Sequence, residues 1–323
     1  MTKRVIVTVG PSLINNAILS QIHNERNIYR INGAHGNIDS IEQYIFKIKS
    51  QIKDAKILMD LPGNKIRTCN FKSGYVNLKN NNKFSINFDQ TNYKDFFKFI
   101  NSGDEVWAND SIFKFIVDSI DLKKKRIKFL SLSGGKLFNN KGLHVRGIHN
   151  HIPFLFEKDL ALINLANKHK IEFIGLSFVR NAKDVLEAKK LISYSNIICK
   201  VETLSAVKKI EEIFKEVEII LIDRGDLSTE IGLNKIPGFQ KHLIDKAIFN
   251  NKKIFLATQF LKSMENNPVP TIAEVIDLYN SLKSGIYGIQ MSEETAIGKY
   301  PKNCLILIEE MIEEINSEII NDG

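Results

Sequence analysis

Ile197-Ile-Cys-Lys-Val-Glu202 and Ile219-Ile-Leu-Ile-Asp-Arg-Gly-Asp226 are the stretches from which the fold is read. Each begins as an apolar, largely β-branched run, the composition of a strand covered on both faces. Each ends in charge, Lys200 and Glu202 on the first, Arg224 and Asp226 on the second. Buried strands that end in a lysine and two carboxylates suit a divalent metal held beside a cationic group. That pairing fits chemistry on a phosphorylated or carboxylated substrate. Either stretch alone reads equally well as an ordinary loop junction, so the argument turns on what the other strands carry at the same end.

Outward from this pair, one rhythm of strand, polar loop and helix repeats. Upstream, strands are predicted over 4–8, 27–32 and 56–60, with helices over 12–22, capped by Ser12, and over 39–52, capped by Asp39. Downstream, strands are predicted over 173–177, 197–201, 217–222, 253–257 and 287–290, with helices starting near 157, 182, 205, 237, 271 and 302. Eight such units predict an α/β fold of the (β/α)8 TIM-barrel type. A doubly wound open sheet is the alternative, and it lacks the glycine-rich dinucleotide fingerprint. Between 69 and 151 the rhythm breaks into short alternating runs at 76–78, 83–87, 105–108, 113–117 and 126–130. They predict a small β-rich domain inserted after strand 3. The expected division is a barrel over 1–68 and 152–323 with an inserted domain over 69–151.

The 323 residues, 43% hydrophobic and 25% charged, describe a globular protein. No apolar run is long enough to span a bilayer, and the short run at 5–7, closed by Gly10-Pro11, is not a signal peptide. Cys69, Cys199 and Cys304 are scattered, which argues against a disulfide framework or a zinc site and leads us to expect a cytoplasmic protein. Net charge is +8, but Lys and Arg are spread along the chain, and the densest run, Lys123-Lys-Lys-Arg126, reads as a solvated hairpin turn. Nucleic acid and membrane are therefore not the expected partners. Steering of anionic substrates accounts for the charge.

A barrel of this kind carries its site at the C-terminal ends of its strands. Those ends hold Arg30 and Asn32, Asp60 with Lys65 and Arg67, Ser177 and Arg180, Lys200 and Glu202, Asp226, Thr258 and Gln259, and Ser292. Mg²⁺ and Mn²⁺ prefer carboxylate oxygens together with substrate oxygens and water, which points to Glu202 and Asp226 as the metal pair. Lys200 and the arginines suit neutralisation of a transferring phosphoryl group.

These residues resemble the pyruvate kinase family over nearly the whole chain. The resemblance is carried by Val7-Thr-Val-Gly-Pro-Ser12, Arg30-Ile-Asn-Gly-Ala-His-Gly36, Leu58-Met-Asp-Leu-Pro-Gly-Asn-Lys-Ile-Arg-Thr68, Lys141-Gly142 and Phe156-Glu-Lys-Asp159. It continues through Ser177-Phe-Val-Arg180, Lys200-Val-Glu202, Arg224-Gly-Asp-Leu227, Ala257-Thr-Gln-Phe-Leu-Lys-Ser-Met264, Pro270-Thr-Ile-Ala-Glu274 and Ser292-Glu-Glu-Thr-Ala296 with Tyr300-Pro301. It implies a barrel under a mobile β-domain lid, and transfer of phosphate between phosphoenolpyruvate and ADP, giving pyruvate and ATP, or the reverse. It implies that Lys200 stabilises the phosphoryl group and the enolate, that Glu202 and Asp226 bind Mg²⁺ or Mn²⁺, and that Arg30, with Arg67 nearby, contacts phosphate. Thr258 would face the carbon that is protonated, and Ser292 would belong to the proton path. The main-chain N–H groups around Gly225 and Asp226 would hold the substrate carboxylate. Asn32 and His35 would line the substrate site, with Asp110 and Lys141 reaching in from the lid.

The departures from the family carry their own expectations. The family's potassium ligands fall on Asn32, Ala34, Asp60 and Leu61, so two oxygen ligands are missing, and the usual glutamate nearby is Lys65. A lysine ammonium is itself a monovalent cation, so Lys65 with Asn32 and Asp60 is expected to stand in for K⁺. The usual glycine after Ser292 is Glu293, and a lysine that helps hold the nucleotide is Ile297. The family's C-terminal regulatory domain is expected to be absent, and effector control with it; a homodimer is the expected assembly. Two rival readings remain: an enzyme using phosphoenolpyruvate or pyruvate with another acceptor in a specialised biosynthetic pathway, and a non-catalytic binding protein on the same barrel.

Overall fold

A computed structural model of the chain describes residues 3–14, 18–109 and 112–321. Three strands open it, β1 (Arg4–Thr8), β2 (Asn27–Asn32) and β3 (Ile57–Asp60). Seven follow in the insertion: β4 (Tyr75–Leu78), β5 (Lys83–Asn87), β6 (Glu105–Ala108), β7 (Phe113–Asp121), β8 (Arg126–Ser131), β9 (Gly135–Phe138) and β10 (Leu143–His144). Five more complete the set, β11 (Phe173–Leu176), β12 (Asn196–Val201), β13 (Ile219–Asp223), β14 (Lys253–Ala257) and β15 (Gly288–Met291). The first three and last five close into a parallel barrel in the order β1-β15-β14-β13-β12-β11-β3-β2, the (β/α)8 architecture expected.

The α-helices are α1 (Pro11–Ile14), α2 (Ile38–Gln51), α3 (Glu157–His169), α4 (Ala182–Lys189), α5 (Leu204–Lys208), α6 (Ile210–Phe214), α7 (Arg224–Ile231), α8 (Ile236–Phe249), α9 (Ile272–Lys283), α10 (Glu293–Ala296) and α11 (Pro301–Asn321). Of the helix expected over 12–22, the described residues show the short α1 and a turn at 19–21; residues 15–17 lie outside the described residues. The cap of α2 is Asn37, whose side chain accepts from Ser40 N at 2.9 Å, and not Asp39, which sits inside the first turn. Helix α7 was not expected: Asp223 both ends β13 and caps α7, so no loop separates them.

The barrel interior is plugged by Ile6, Ile28, Leu58, Ile198, Leu221 and Phe255, one residue from each of six strands. Complete burial of such side chains stabilises by roughly 1.5–3 kcal/mol each. On a strand, residues two apart share a face. Two positions beyond each plug residue therefore stand Thr8, Arg30, Asp60, Lys200, Asp223 and Ala257, a layer that is polar but for Ala257, resting on an apolar floor. Glycine makes room in both tiers. A Cβ on Gly175 would come within 2.8 Å of Asp60 Oδ1, and one on Gly288 within 2.7 Å of the Phe255 ring. The barrel's outer face packs on its helices through a second apolar layer that includes Val7, Tyr29, Met59, Leu176, Val201 and Ile222.

In the insertion, a five-stranded sheet (β10-β6-β7-β8-β5) and the pair β4-β9 share an apolar core containing Phe96, Phe115 and Phe129. Strands β9 and β10 were not expected: β10 is two residues long, and β9 leaves all but Leu137 exposed, so neither shows a usable alternation. Lys123, Lys124 and Lys125 do form an exposed turn between β7 and β8. The chain enters and leaves the insertion side by side, with Thr68 N donating to Lys141 O at 2.8 Å and an antiparallel bridge between Arg67 and Gly142. Where it rejoins the barrel, Glu230 of α7 accepts from Gly147 N at 3.3 Å and pairs with His144 at 3.0 Å.

Candidate active site

Lys200 is the centre of the polar layer. Its side chain is 7% exposed, and its Nζ lies 2.9 Å from Glu202 Oε1, 3.4 Å from Asp60 Oδ2, 3.6 Å from Asp223 Oδ2 and 3.2 Å from Ser177 Oγ. Burial alone would push the Lys200 pKa down; Asp60, Glu202 and Asp223 outweigh it and push the pKa up, so the group is a permanent cation. Beside it, Arg30 holds Asp60 Oδ2 through Nε and Nη2, each at 2.7 Å, and donates through Nη1 to Thr8 Oγ1 at 2.7 Å.

On the other side the carboxylates gather. Glu202, Asp223 and Asp226 each place an oxygen within 4.8 Å of the others'. Glu202 is 1% exposed; its Oε2 accepts from Phe178 N at 2.6 Å, while Oε1 faces Lys200 without the alignment of a hydrogen bond. Burial pushes Glu202 up to about 8 against the pull of Lys200. Burial acts the same way on Asp226, but there Lys65, 2.5 Å from Oδ1, wins and holds the pKa at about 2. The difference between two neighbouring carboxylates is thus set by which one has a cation to itself.

Thr258 stands where β14 leaves the barrel, with φ of +70°, followed by Gln259 at +61°. A left-handed backbone is strained for a β-branched residue and persists only where its surroundings impose it. Arg224 imposes it here, donating to Thr258 O at 3.0 and 2.6 Å, stacking over Phe260 and pairing with Asp277 at 2.8 Å. Thr258 Oγ1 then accepts from Gly225 N at 3.0 Å. Asp226 N donates to Asp223 Oδ1 at 3.4 Å. The two main-chain donors expected to hold a substrate carboxylate are thus turned inward onto side chains of the chain itself.

The remaining expected residues are spread around this centre. The three residues expected to replace potassium make these contacts with other groups: Lys65 is on Asp226, Asp60 is on Arg30 and Lys200, and Asn32 Oδ1 accepts from Ala34 N at 3.0 Å. Ser292 opens α10, its N–H donating to Glu294 Oε2 at 2.9 Å. Arg67 and Lys141 lie in the paired segments at the neck of the insertion, and Arg67 Nη1 donates to Asn140 O at 3.2 Å. His35 remains solvent-exposed; partial desolvation, then the charges of Arg67, Arg30 and Lys158, push its pKa down. Arg180 is taken up by Asp184 and by the carbonyls of His149 and Ile152, which fixes the neck. Asp110 lies outside the described residues. Glu293 is half-exposed and stands 3.6 Å from Lys262, and Ile297 is also exposed. The residue that sequence reading missed is Asp223. The signal was present: it follows the plug residue Leu221 by two, as Lys200 follows Ile198.

A family model for the pyruvate kinase barrel domain matches residues 1–305. Pyruvate kinase of Thermotoga maritima is 31% identical over 98% of this chain and 71% of its own length. The enzyme of Geobacillus stearothermophilus is 32% identical over 92% of this chain and 54% of its own length, and that of Thermococcus litoralis 32% identical over 92% and 66%. The chain thus spans 54% to 71% of the length of these relatives.

Proposed function

The chain belongs to the pyruvate kinase family, and we propose that it moves a phosphoryl group between phosphoenolpyruvate and ADP, with Lys200 as the positive charge that the transferring group meets. The observation that carries this reading is the Lys200 ammonium, buried and kept charged at the mouth of a barrel by Asp60, Glu202 and Asp223. Phosphoryl transfer needs positioning and electrostatic stabilisation more than covalent help from the protein. A cation fixed in a water-poor cleft stabilises developing charge without reorganising at the moment of reaction. Arg30, braced by Asp60 and Thr8, supplies a second cation to the phosphate. Thr258, held in its strained position by Arg224, presents its hydroxyl where the enolate carbon is protonated, and Ser292 continues the proton path.

The donor set fits a hard divalent cation: three carboxylates whose oxygens lie within 4.8 Å of one another. Glu202 and Asp226 would hold Mg²⁺ or Mn²⁺, which supplies charge neutralisation to the phosphate and enolate oxygens. Lys65 takes over the work of a monovalent cation, so no potassium is required. The 69–151 domain acts as the lid over a barrel formed by 1–68 and 152–323. No helix among the described residues is long and apolar enough to cross a membrane, and we place the reaction in the cytoplasm.

A coupled assay with phosphoenolpyruvate, ADP and Mg²⁺, run beside Lys200→Met, tests the reading: turnover by the parent chain and its loss in the variant are expected. The exposed Glu293 and Ile297 favour one second reading, in which the phosphoenolpyruvate side is kept and another acceptor replaces ADP. Phosphoenolpyruvate bound tightly with no turnover in the presence of ADP is the result that selects it.

A further inference from the structure

Asp223 lies outside the two carboxylates assigned to the divalent ion, yet it stands in the same cluster. We propose that Asp223 is a third anionic ligand to that ion, and that the chain therefore holds its metal before substrate arrives. The inference rests on the reading of Glu202 and Asp226 as the metal pair, and three observations carry it beyond that pair.

The first is position. Asp223 is 6% exposed and occupies the inward place two residues beyond Leu221, so its carboxylate enters the polar layer and meets Glu202 and Asp226 within 4.8 Å. The second is how little its oxygens are otherwise used. Its contact with Asp226 N is 3.4 Å and its contact with Lys200 is 3.6 Å, both beyond the 2.7–3.2 Å of a good hydrogen bond. Nearby, the almost fully buried Glu202 Oε1 is answered only by the Lys200 ammonium at 2.9 Å, without the alignment of a hydrogen bond. Buried polar atoms are normally well satisfied, and a carboxylate held only by long contacts, as Asp223 is, keeps lone pairs that a cation could take as well as a helix cap does. The third is charge. Against the Lys200 and Lys65 ammonium groups, three ionised carboxylates leave one net negative charge to attract a divalent ion, whereas two would leave none. In the present arrangement Lys65 supplies a second positive charge, on Asp226.

The alternative is that Asp223 only caps α7. Asp223→Ser separates the two roles, because serine caps a helix nearly as well as aspartate but brings no charge. Asp223→Asn keeps the shape as well. Mn²⁺ binding to the protein without phosphoenolpyruvate or nucleotide would be titrated by the loss of the free-Mn²⁺ paramagnetic resonance signal, for the parent chain, both Asp223 variants and Glu202→Gln. Circular dichroism confirms the fold of each, and Asp223→Asn serves if the serine variant does not fold. The expected result is Mn²⁺ binding by the parent chain, weakened about ten-fold or more in the Asp223 variants, since affinity follows the number of charged ligands. Unchanged Mn²⁺ affinity in the Asp223 variants, with binding lost in Glu202→Gln, overturns the role of Asp223 and leaves the metal pair standing. Mn²⁺ bound by the parent chain only once phosphoenolpyruvate is present also overturns it. Mn²⁺ binding that survives Glu202→Gln places the ion elsewhere and removes the underlying reading.

Discussion

Two groups of charges share the mouth of this barrel and differ in their proportions. Around β2 and β3, one guanidinium meets one carboxylate: Arg30 places two nitrogens on Asp60 and a third on the Thr8 hydroxyl, and the same Asp60 oxygen reaches Lys200 more loosely at 3.4 Å. Around β12 and β13, three carboxylates meet two ammonium groups, Lys200 and Lys65. A balanced buried pair is a structural element whose strength lies in neither partner being alone. An unbalanced one keeps excess negative charge that a cation from outside can answer, and that is what a metal-dependent site requires. The contrast teaches that the number of buried charges says less about function than their imbalance.

Removing the cation from the unbalanced group should have the largest effect. Lys200→Met is expected to lower kcat in the coupled assay by about a thousand-fold, the scale of losing a fixed charge at a transition state; activity within a few-fold of the parent would break the contrast. The balanced group should answer in stability as well as in activity. Asp60→Asn leaves Arg30 buried without its counter-charge and is expected to cost about 3–5 kcal/mol in denaturant unfolding. Asp226→Asn should cost far less, because Asp226 and Lys65 are 23% and 16% exposed and water takes up part of the loss. Equal costs would erase the distinction.

A smaller effect comes from beneath the acidic group. His149 stacks on Phe178, whose N–H is held by Glu202, and its Nδ1 lies 2.8 Å from Asn64 Oδ1. Burial, reinforced by His144, drives its pKa from 6.5 down to about 3. The unfolded chain takes up a proton near 6.5 and the folded one does not until about 3, so this contribution is full above pH 6.5 and is lost as pH falls toward 3. By pH 5 the loss should approach about 2 kcal/mol. Unfolding curves at pH 7 and pH 5 should differ less in His149→Gln by that amount; an identical pH dependence would show that the ring charges without cost. The smallest effect is expected from exchanging monovalent ions. With Lys65 already on Asp226, activity in sodium-only buffer should equal that in potassium, and strong potassium activation would show that Lys65 does not do a potassium ion's work.

The periodicity of the chain was enough to find every barrel strand, because strands covered on both faces are written as unbroken apolar runs that nothing else in a small domain requires. The interruption after β3 was equally plain, since the alternation changes from the helical to the strand period. Lys200, Glu202 and Asp226, which the structure brings together in the candidate site, could be picked out for the same reason: charge at the end of a buried run has few bland explanations once several runs share it. What the sequence left open lies where one residue serves two elements or where a contact joins distant ones. Asp223 closes β13 and starts α7 at once, so it reads as the last residue of a strand and its carboxylate goes unnoticed. Asn37 displaces Asp39 as a cap by two positions, within the play that local propensity allows. The pairing of Lys65 with Asp226 spans 161 residues, and only closure of the barrel brings the third strand's loop over the sixth. Burial pattern and residue type are properties of the chain and can be read along it. The pKa of Glu202, the strain at Thr258 and the surplus of negative charge are properties of distances between strands, and those exist only once the barrel is closed.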